Sequence, residues 1–151
     1  MKKLDNLRIS TWRLFLTAHL KLLDRIEAKL TETDLPPLEW YDVLLTLKEA
    51  PNCRLRLSEV ADKVLISRSN LTRLIDRLEA AGLLKRERCP SDRRGAFAVL
   101  TDAGLAMQQQ MWTVYAKGIT EYFGSHLSTE ESQTMQQAFA RMLAALEKEG
   151  T

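Results

Sequence analysis

The sequence predicts a mainly α fold with one small β-hairpin, set between two long helical flanks. Three observations carry this. Two short apolar patterns of helical period lie close together: Leu57, Val60, Ala61 and Val64 fall at i, i+3, i+4 and i+7, and Leu71, Leu74, Ile75 and Leu78 repeat the spacing. After Gly82 the period becomes alternating. Residues 83–89 and 95–100 read as two strands joined at Pro90-Ser91-Asp92-Arg93-Arg94, with Phe97 and Val99 on one face and Ala96, Ala98 and Leu100 on the other. On either side, residues of about 4–31 and 101–149 carry long helical patterns. Helix, corner, helix and basic hairpin make a winged helix-turn-helix with a hairpin wing, and the flanks add a helical dimerisation region.

The elements follow in order. Residues 4–31 contain neither Pro nor Gly. Leu7, Leu14, Phe15, Ala18, Leu22 and Ile26 trace one stripe, and Trp12, Leu16, Leu20 and Leu23 trace a second on another face. A surface helix of a monomer needs one buried stripe. Two predict burial against the helix's own domain and against something else, most simply a second copy of the chain. His19 sits between the stripes, as a structural or pocket-lining residue rather than a metal ligand. Pro36-Pro37 punctuates the chain, and a second helix is expected from Leu38 to Glu49, with Trp40, Tyr41, Val43, Leu44, Leu45 and Leu47 as its apolar positions. Ala50-Pro51-Asn52 ends it, and residues 53–56 form a connector with a short strand that pairs with the wing.

The third helix begins at Leu57. A tight corner, Leu65-Ile66-Ser67, separates it from the fourth, for which Ser67 suits the N-cap and Gly82 the C′ position. After the hairpin, Thr101 caps a fifth helix reaching about Tyr122, and Gly124-Ser125-His126 breaks it. Ser128-Thr129-Glu130-Glu131 is a capping box that opens the last helix, which carries Met135, Ala138, Phe139, Met142, Leu143 and Leu146.

Charge points to a partner. The outer face of the fourth helix carries Arg68, Ser69, Asn70, Thr72, Arg73 and Arg77, long cations and short hydrogen-bonders of the kind that reach phosphates and base edges. Between Arg54 and Arg94 eleven Lys or Arg face six Asp or Glu, so this segment holds +5 while the rest of the chain holds −3 of the overall +2. A basic module on an acidic frame is the footprint of a nucleic-acid binder; a solvated charged face is the plainer alternative.

Other classes find little support. There is no phosphate-cradling glycine loop, no H-E-x-x-H and no Cys/His cluster, and His19 and His126, the two histidines, lie on different elements; no enzyme activity, cofactor or metal is expected. Asp5, Arg8 and Arg13 interrupt any apolar leader, and no apolar run reaches membrane-spanning length, so the cytoplasm is the expected compartment. Cys53 and Cys89 form no disulfide framework. Cys89 lies among Arg86, Arg88 and Arg93, which allows two readings: a thiol of lowered pKa in a redox-responsive regulator, or a small packing residue of a wing strand.

Several segments together resemble the MarR family of bacterial transcription regulators. They are Leu57-Ser58-Glu59-Val60-Ala61; Leu71-Thr72-Arg73-Leu74-Ile75-Asp76-Arg77-Leu78-Glu79; Gly82-Leu83-Leu84; the D-x-R wing motif Asp92-Arg93-Arg94; and Leu100-Thr101-Asp102-Ala103-Gly104, which matches L-T-x-x-G. The order of elements also fits. The resemblance implies one MarR-like domain over 1–151, with a DNA-binding lobe at about 38–100 and dimerisation helices at about 4–31 and 101–149. It implies a homodimeric, sequence-specific regulator, a repressor in the main reading, on a pseudo-palindromic operator in double-stranded DNA. The recognition helix would enter the major groove, with Arg93 and Arg94 of the wing at the flanking minor groove and Asp92 bracing Arg94 or the wing backbone. A small aromatic effector is implied where the dimer helices meet the DNA-binding lobe, biasing lobe spacing. Trp12, His19, Trp40 and Tyr41 are its expected ligand-binding residues, with Phe15 and Trp112 nearby; the alternative is that all six are core or interface. A winged helix used only for protein contacts is a further alternative to DNA binding.

Overall fold

The computed structural model describes residues 3–65, 69–91 and 95–150. Among them the order is α1 (Asn6–Glu32), α2 (Leu38–Glu49), β1 (Arg54–Arg56), α3 (Leu57–Lys63), α4 (Leu71–Ala80), β2 (Leu84–Arg88), β3 (Ala96–Leu100), α5 (Asp102–Tyr122) and α6 (Thr129–Glu149), with 3-10 turns at Pro51–Cys53 and Gly124–His126. The fold is the mainly helical winged helix that the sequence predicts, and the connector before α3 does pair with the wing. The three strands form an antiparallel sheet in the order β1-β3-β2. Ala98 lies opposite both Leu55 and Arg86, so these three share the inner face, while Phe97 lies opposite Arg56 and Glu87 on the outer face.

The core forms around α2. Leu38, Tyr41, Val43, Leu44 and Leu47 are buried against Val60 and Val64, against Leu74, Ile75 and Leu78 of α4, against Leu55, Leu84 and Ala98 of the sheet, and against Met111 of α5. The side chain of Glu27 accepts the Leu38 N–H at 2.9 Å, which supplies the α2 N-terminus with the cap that Pro37 lacks. Asp42 Oδ1 accepts the Leu65 N–H at 3.1 Å and so holds the chain leaving α3 to the same helix.

α1 divides lengthwise rather than by face. Its 27 residues span roughly 40 Å, more than the lobe can cover. Ile26 and Leu30 enter the core and Leu23 packs on it, yet every described residue as far as Lys21 is exposed. Both sequence stripes therefore run out of partners toward the N-terminus. α6 has no buried residue. A ring contact between Phe15 and Phe139, with centroids 5.6 Å apart, places α6 beside the exposed part of α1.

The joint between α4, the wing and α5 is built from local signals. Gly82 adopts φ +78°, its N–H donates to the Glu79 carbonyl at 2.9 Å, and the Leu83 N–H donates to the Leu78 carbonyl at 3.0 Å, a Schellman closure. Thr101 Oγ1 donates to the Gly82 carbonyl at 2.7 Å and accepts the Gly104 N–H at 3.0 Å, so the α5 cap is bonded to the end of α4. The L-T-x-x-G string is thus a docking device rather than a cap alone.

One local expectation is corrected. Ser69 and Asn70 do not lie on the fourth helix: α4 begins at Leu71, with Asn70 at its N-cap in the left-handed conformation, φ 58°. Asn tolerates that conformation better than most residues and a helix does not. The chain therefore turns at Asn70 and only then becomes helical. The Asn70 carbonyl still accepts the Leu74 N–H at 3.1 Å. Ser67, the expected cap, lies outside the described residues, as do Arg68, Asp92, Arg93 and Arg94.

Candidate nucleic-acid interface

α4 is amphipathic in the manner of a helix that stands on a core and faces outward. Leu74, Ile75 and Leu78 are buried, while Thr72, Arg73, Asp76 and Arg77 are exposed, and Ser69 and Asn70 extend the exposed surface ahead of the first turn. Arg73 and Arg77 are four residues apart on one face. Among the described residues neither forms an ion pair. Two guanidinium groups without an ion pair among the described residues, on the outer face of a helix anchored by its buried stripe, can reach the phosphates or base edges of a duplex.

Part of the basic excess is consumed internally, which sequence counting does not show. Arg86 pairs with Asp76 and Glu79 of α4, each at 2.6 Å, and these bonds hold its guanidinium pKa above the usual value. Arg54 and Lys85 both pair with Glu87, at 3.2 and 3.3 Å. Arg54 also lies over the Phe97 ring, 4.4 Å from its centroid. Arg86 is therefore held within the lobe rather than left free on its surface. The sequence signal for this was present: a cation on the inner alternation of a wing strand, where an apolar residue belongs, requires a partner.

The expected ligand residues fall into two groups. Trp12 and His19 flank Phe15 on the exposed part of α1, with centroid separations of 5.8 and 6.3 Å. Tyr41 belongs to a second cluster, stacked on Trp112 at 6.3 Å and edge-on to Tyr115 at 5.1 Å. Among the described residues no ring contact joins the groups. Trp40 packs, half-buried, against the core. Gln108 Nε2 donates to Tyr41 Oη at 3.3 Å, while the buried Gln108 Oε1 has no hydrogen-bond partner among the described residues. Burial raises the pKa of both Tyr41 and Tyr115. Two open grooves, of about 390 and 380 Å³, lie beside Asp42, Thr46 and Lys63 and beside Phe123, Met135 and Phe139, and none of Trp12, His19, Trp40 and Tyr41 lines either. Cys89 is buried, with Sγ 3.3 Å from Ser91 Oγ, which favours its packing role. No group of His, Cys, Asp or Glu among the described residues is arranged to hold a metal ion, and no described helix is long and apolar enough to cross a membrane.

Comparison with known proteins agrees with this geometry. The MarR family model matches residues 33–95. The HTH-type transcriptional regulator MhqR of Bacillus subtilis is 33% identical over 86 residues, 57% of this chain and 59% of that protein. The chain spans only about half to two thirds of the length of the first curated relatives, 51% to 64%. Solved structures match along nearly the whole chain. AbsC of Streptomyces coelicolor superposes with a TM-score of 0.85 at 30% identity, covering 98% of this chain and 99% of that one. Sco3205 of the same organism, solved in complex with DNA, superposes with a TM-score of 0.83 at 30% identity, covering 95% and 90%. AbsC and Sco3205 are MarR family transcriptional regulators, and with their fold along nearly its whole length this chain belongs to the MarR family of transcriptional regulators.

Proposed function

We propose that this chain acts as a homodimer that binds double-stranded DNA at a specific pseudo-palindromic operator in the cytoplasm and represses transcription. Residues 38–100 form the DNA-binding lobe of a single domain, and residues 4–31 and 101–149 form the dimerisation helices. The observation that carries this reading is the exposed, unpaired Arg73–Arg77 face of α4, held outward by a buried Leu74-Ile75-Leu78 stripe. That Sco3205 was solved on DNA supports it. Ser69 and Asn70, just ahead of the recognition helix, and Thr72 and Arg73 in its first turn meet base edges; Arg68 joins them in contacting DNA, Arg77 faces phosphate, and Arg93 and Arg94 supply the wing contacts.

Three substitutions separate these roles in operator titrations. Arg73→Ala costs about 1–3 kcal/mol and relaxes preference at one or two base pairs of each half-site. Arg77→Ala weakens all sequences alike and lowers the salt slope by about one. Arg94→Ala erases preference in the flanks. Binding unchanged by Arg73→Ala and Arg77→Ala would remove the DNA-binding reading.

A small planar aromatic effector is the second part of the proposal. Gln108 Oε1 is an open acceptor beside the Tyr41–Trp112–Tyr115 cluster, and Trp12 and His19 offer further aromatic surface that a second copy can bring near it. An aromatic acid such as salicylate is expected to quench Trp fluorescence and weaken the operator complex. Operator affinity that stays constant at saturating aromatic ligand overturns this part alone.

A further inference from the structure

Arg86 lies on β2, not on the outward face of α4. It sits on the inner face of the sheet opposite Ala98, which is fully buried. From there Nη1 donates to Glu79 Oε1 and Nη2 donates to Asp76 Oδ1, both at 2.6 Å, while the Arg86 backbone N–H donates to Glu79 Oε2 at 3.1 Å. Asp76 is exposed and stands beside Arg77 and three residues after Arg73, on the surface offered to DNA. A carboxylate there repels the same phosphates that the two arginines attract. The guanidinium that holds it is 28% exposed against 59% for Asp76, so salt screens this pairing less than a pair with both partners open to solvent.

We infer that Arg86 is a positioning residue for DNA recognition. It screens the Asp76 and Glu79 carboxylates from the duplex and ties the last turns of α4 to β2, without touching DNA itself. The inference rests on the DNA-binding reading above. It explains how a helix that presents arginines to phosphate carries two acids among them: one fork pairs with both acids, and the backbone N–H of the same residue fixes Glu79 to the wing.

The test is fluorescence anisotropy of a labelled mixed-sequence duplex at about 0.1 M salt, with circular dichroism and thermal melts of each variant. Arg86→Met is expected to weaken binding about tenfold on any duplex. Adding Asp76→Asn and Glu79→Gln to Arg86→Met is expected to restore affinity to within about twofold of the original chain, because the uncompensated charges are then gone. If Arg86 instead holds a phosphate, the triple variant stays as weak as Arg86→Met and both lose about one from the salt slope, which overturns the inference. If the role is only structural, the lost affinity tracks the lost folded fraction and removing the acids does not recover it, which also overturns it. Failure of the unmodified chain to bind any duplex overturns the DNA-binding reading and this inference together. Normal binding by the unmodified chain and by Arg86→Met overturns the inference alone.

Discussion

Charging the exposed face of α6, by Leu143→Glu together with Leu146→Glu, is expected to leave a folded monomer that no longer holds its operator. Leu143 and Leu146 are 60% and 63% exposed in the single chain, so neither substitution touches the core. Phe139 and Met142 of α6 and Leu7, Leu14, Phe15, Leu16 and Leu20 of α1 are likewise exposed among the described residues, and the Phe15–Phe139 contact brings the two helices together. An exposed patch of this extent marks an interaction site. Burying each such side chain is worth about 1.5–3 kcal/mol, and a two-fold interface counts every one twice. That total exceeds the roughly 4–15 kcal/mol lost on association. A carboxylate in place of leucine reverses the sign, since a charge buried without a partner costs several kcal/mol. The dimer is expected to weaken by at least about a thousandfold. Operator affinity falls with it, because joining two half-site contacts in one molecule contributes a factor of about 100 to 10,000. Sedimentation velocity checks the assembly and anisotropy the binding. Deleting residues 1–25 or 130–151 should give the same loss of both. A charged variant that remains dimeric, or an unmodified chain that is monomeric at micromolar concentration, contradicts the proposed interface. The operator itself should show half-sites about 10 bp apart, one helical turn.

Gly104→Val is expected to cost about 4 kcal/mol or more. A Cβ built on Gly104 lies 2.0 Å from the Leu83 carbonyl oxygen, 3.0 Å from its carbon and 2.6 Å from Leu100 Cδ1. The leucine side chain can give way, but the carbonyl cannot. It accepts the Thr101 N–H at 3.2 Å, and the Leu83 N–H is bonded to the Leu78 carbonyl at 3.0 Å. Shifting the Leu83 backbone therefore strains the closure of α4 or lifts α5 from it. At this chain length the thermal midpoint should fall by roughly 8–16 °C. Leu83 connects α4 to the wing, so DNA affinity of the remaining folded protein should fall as well. An unchanged midpoint would mean that α5 docks on α4 more loosely than these distances show.

The features legible in the sequence are those whose causes lie a few residues away. The span of α2, the Thr101 and Ser128 caps, the Gly82 closure and both wing strands follow from side chains that bond or crowd their own neighbours along the chain. The outward basic face of α4 was legible too, because helical period alone separates Leu74, Ile75 and Leu78 from Arg73 and Arg77. The start of α4 was missed. The helix starts only after Asn70, whose left-handed turn no residue count along the chain announces.

Through-space partners were beyond the sequence. Composition counts Arg86 toward a DNA-binding charge, while the tertiary structure assigns it to Asp76 and Glu79, ten and seven residues earlier. Two apolar stripes along α1 predict two contacts, but only the packing shows that the core ends near its last turns and leaves the remainder open. Of six aromatic residues of similar type, Tyr41 stacks on Trp112, Trp12, Phe15 and His19 form an exposed row, and Trp40 packs apart from both. Period and capping chemistry are local properties of the chain and determine its elements. The partner of a charge, the covered length of a helix and the company of an aromatic ring depend on which surfaces meet, and only the assembled core decides that.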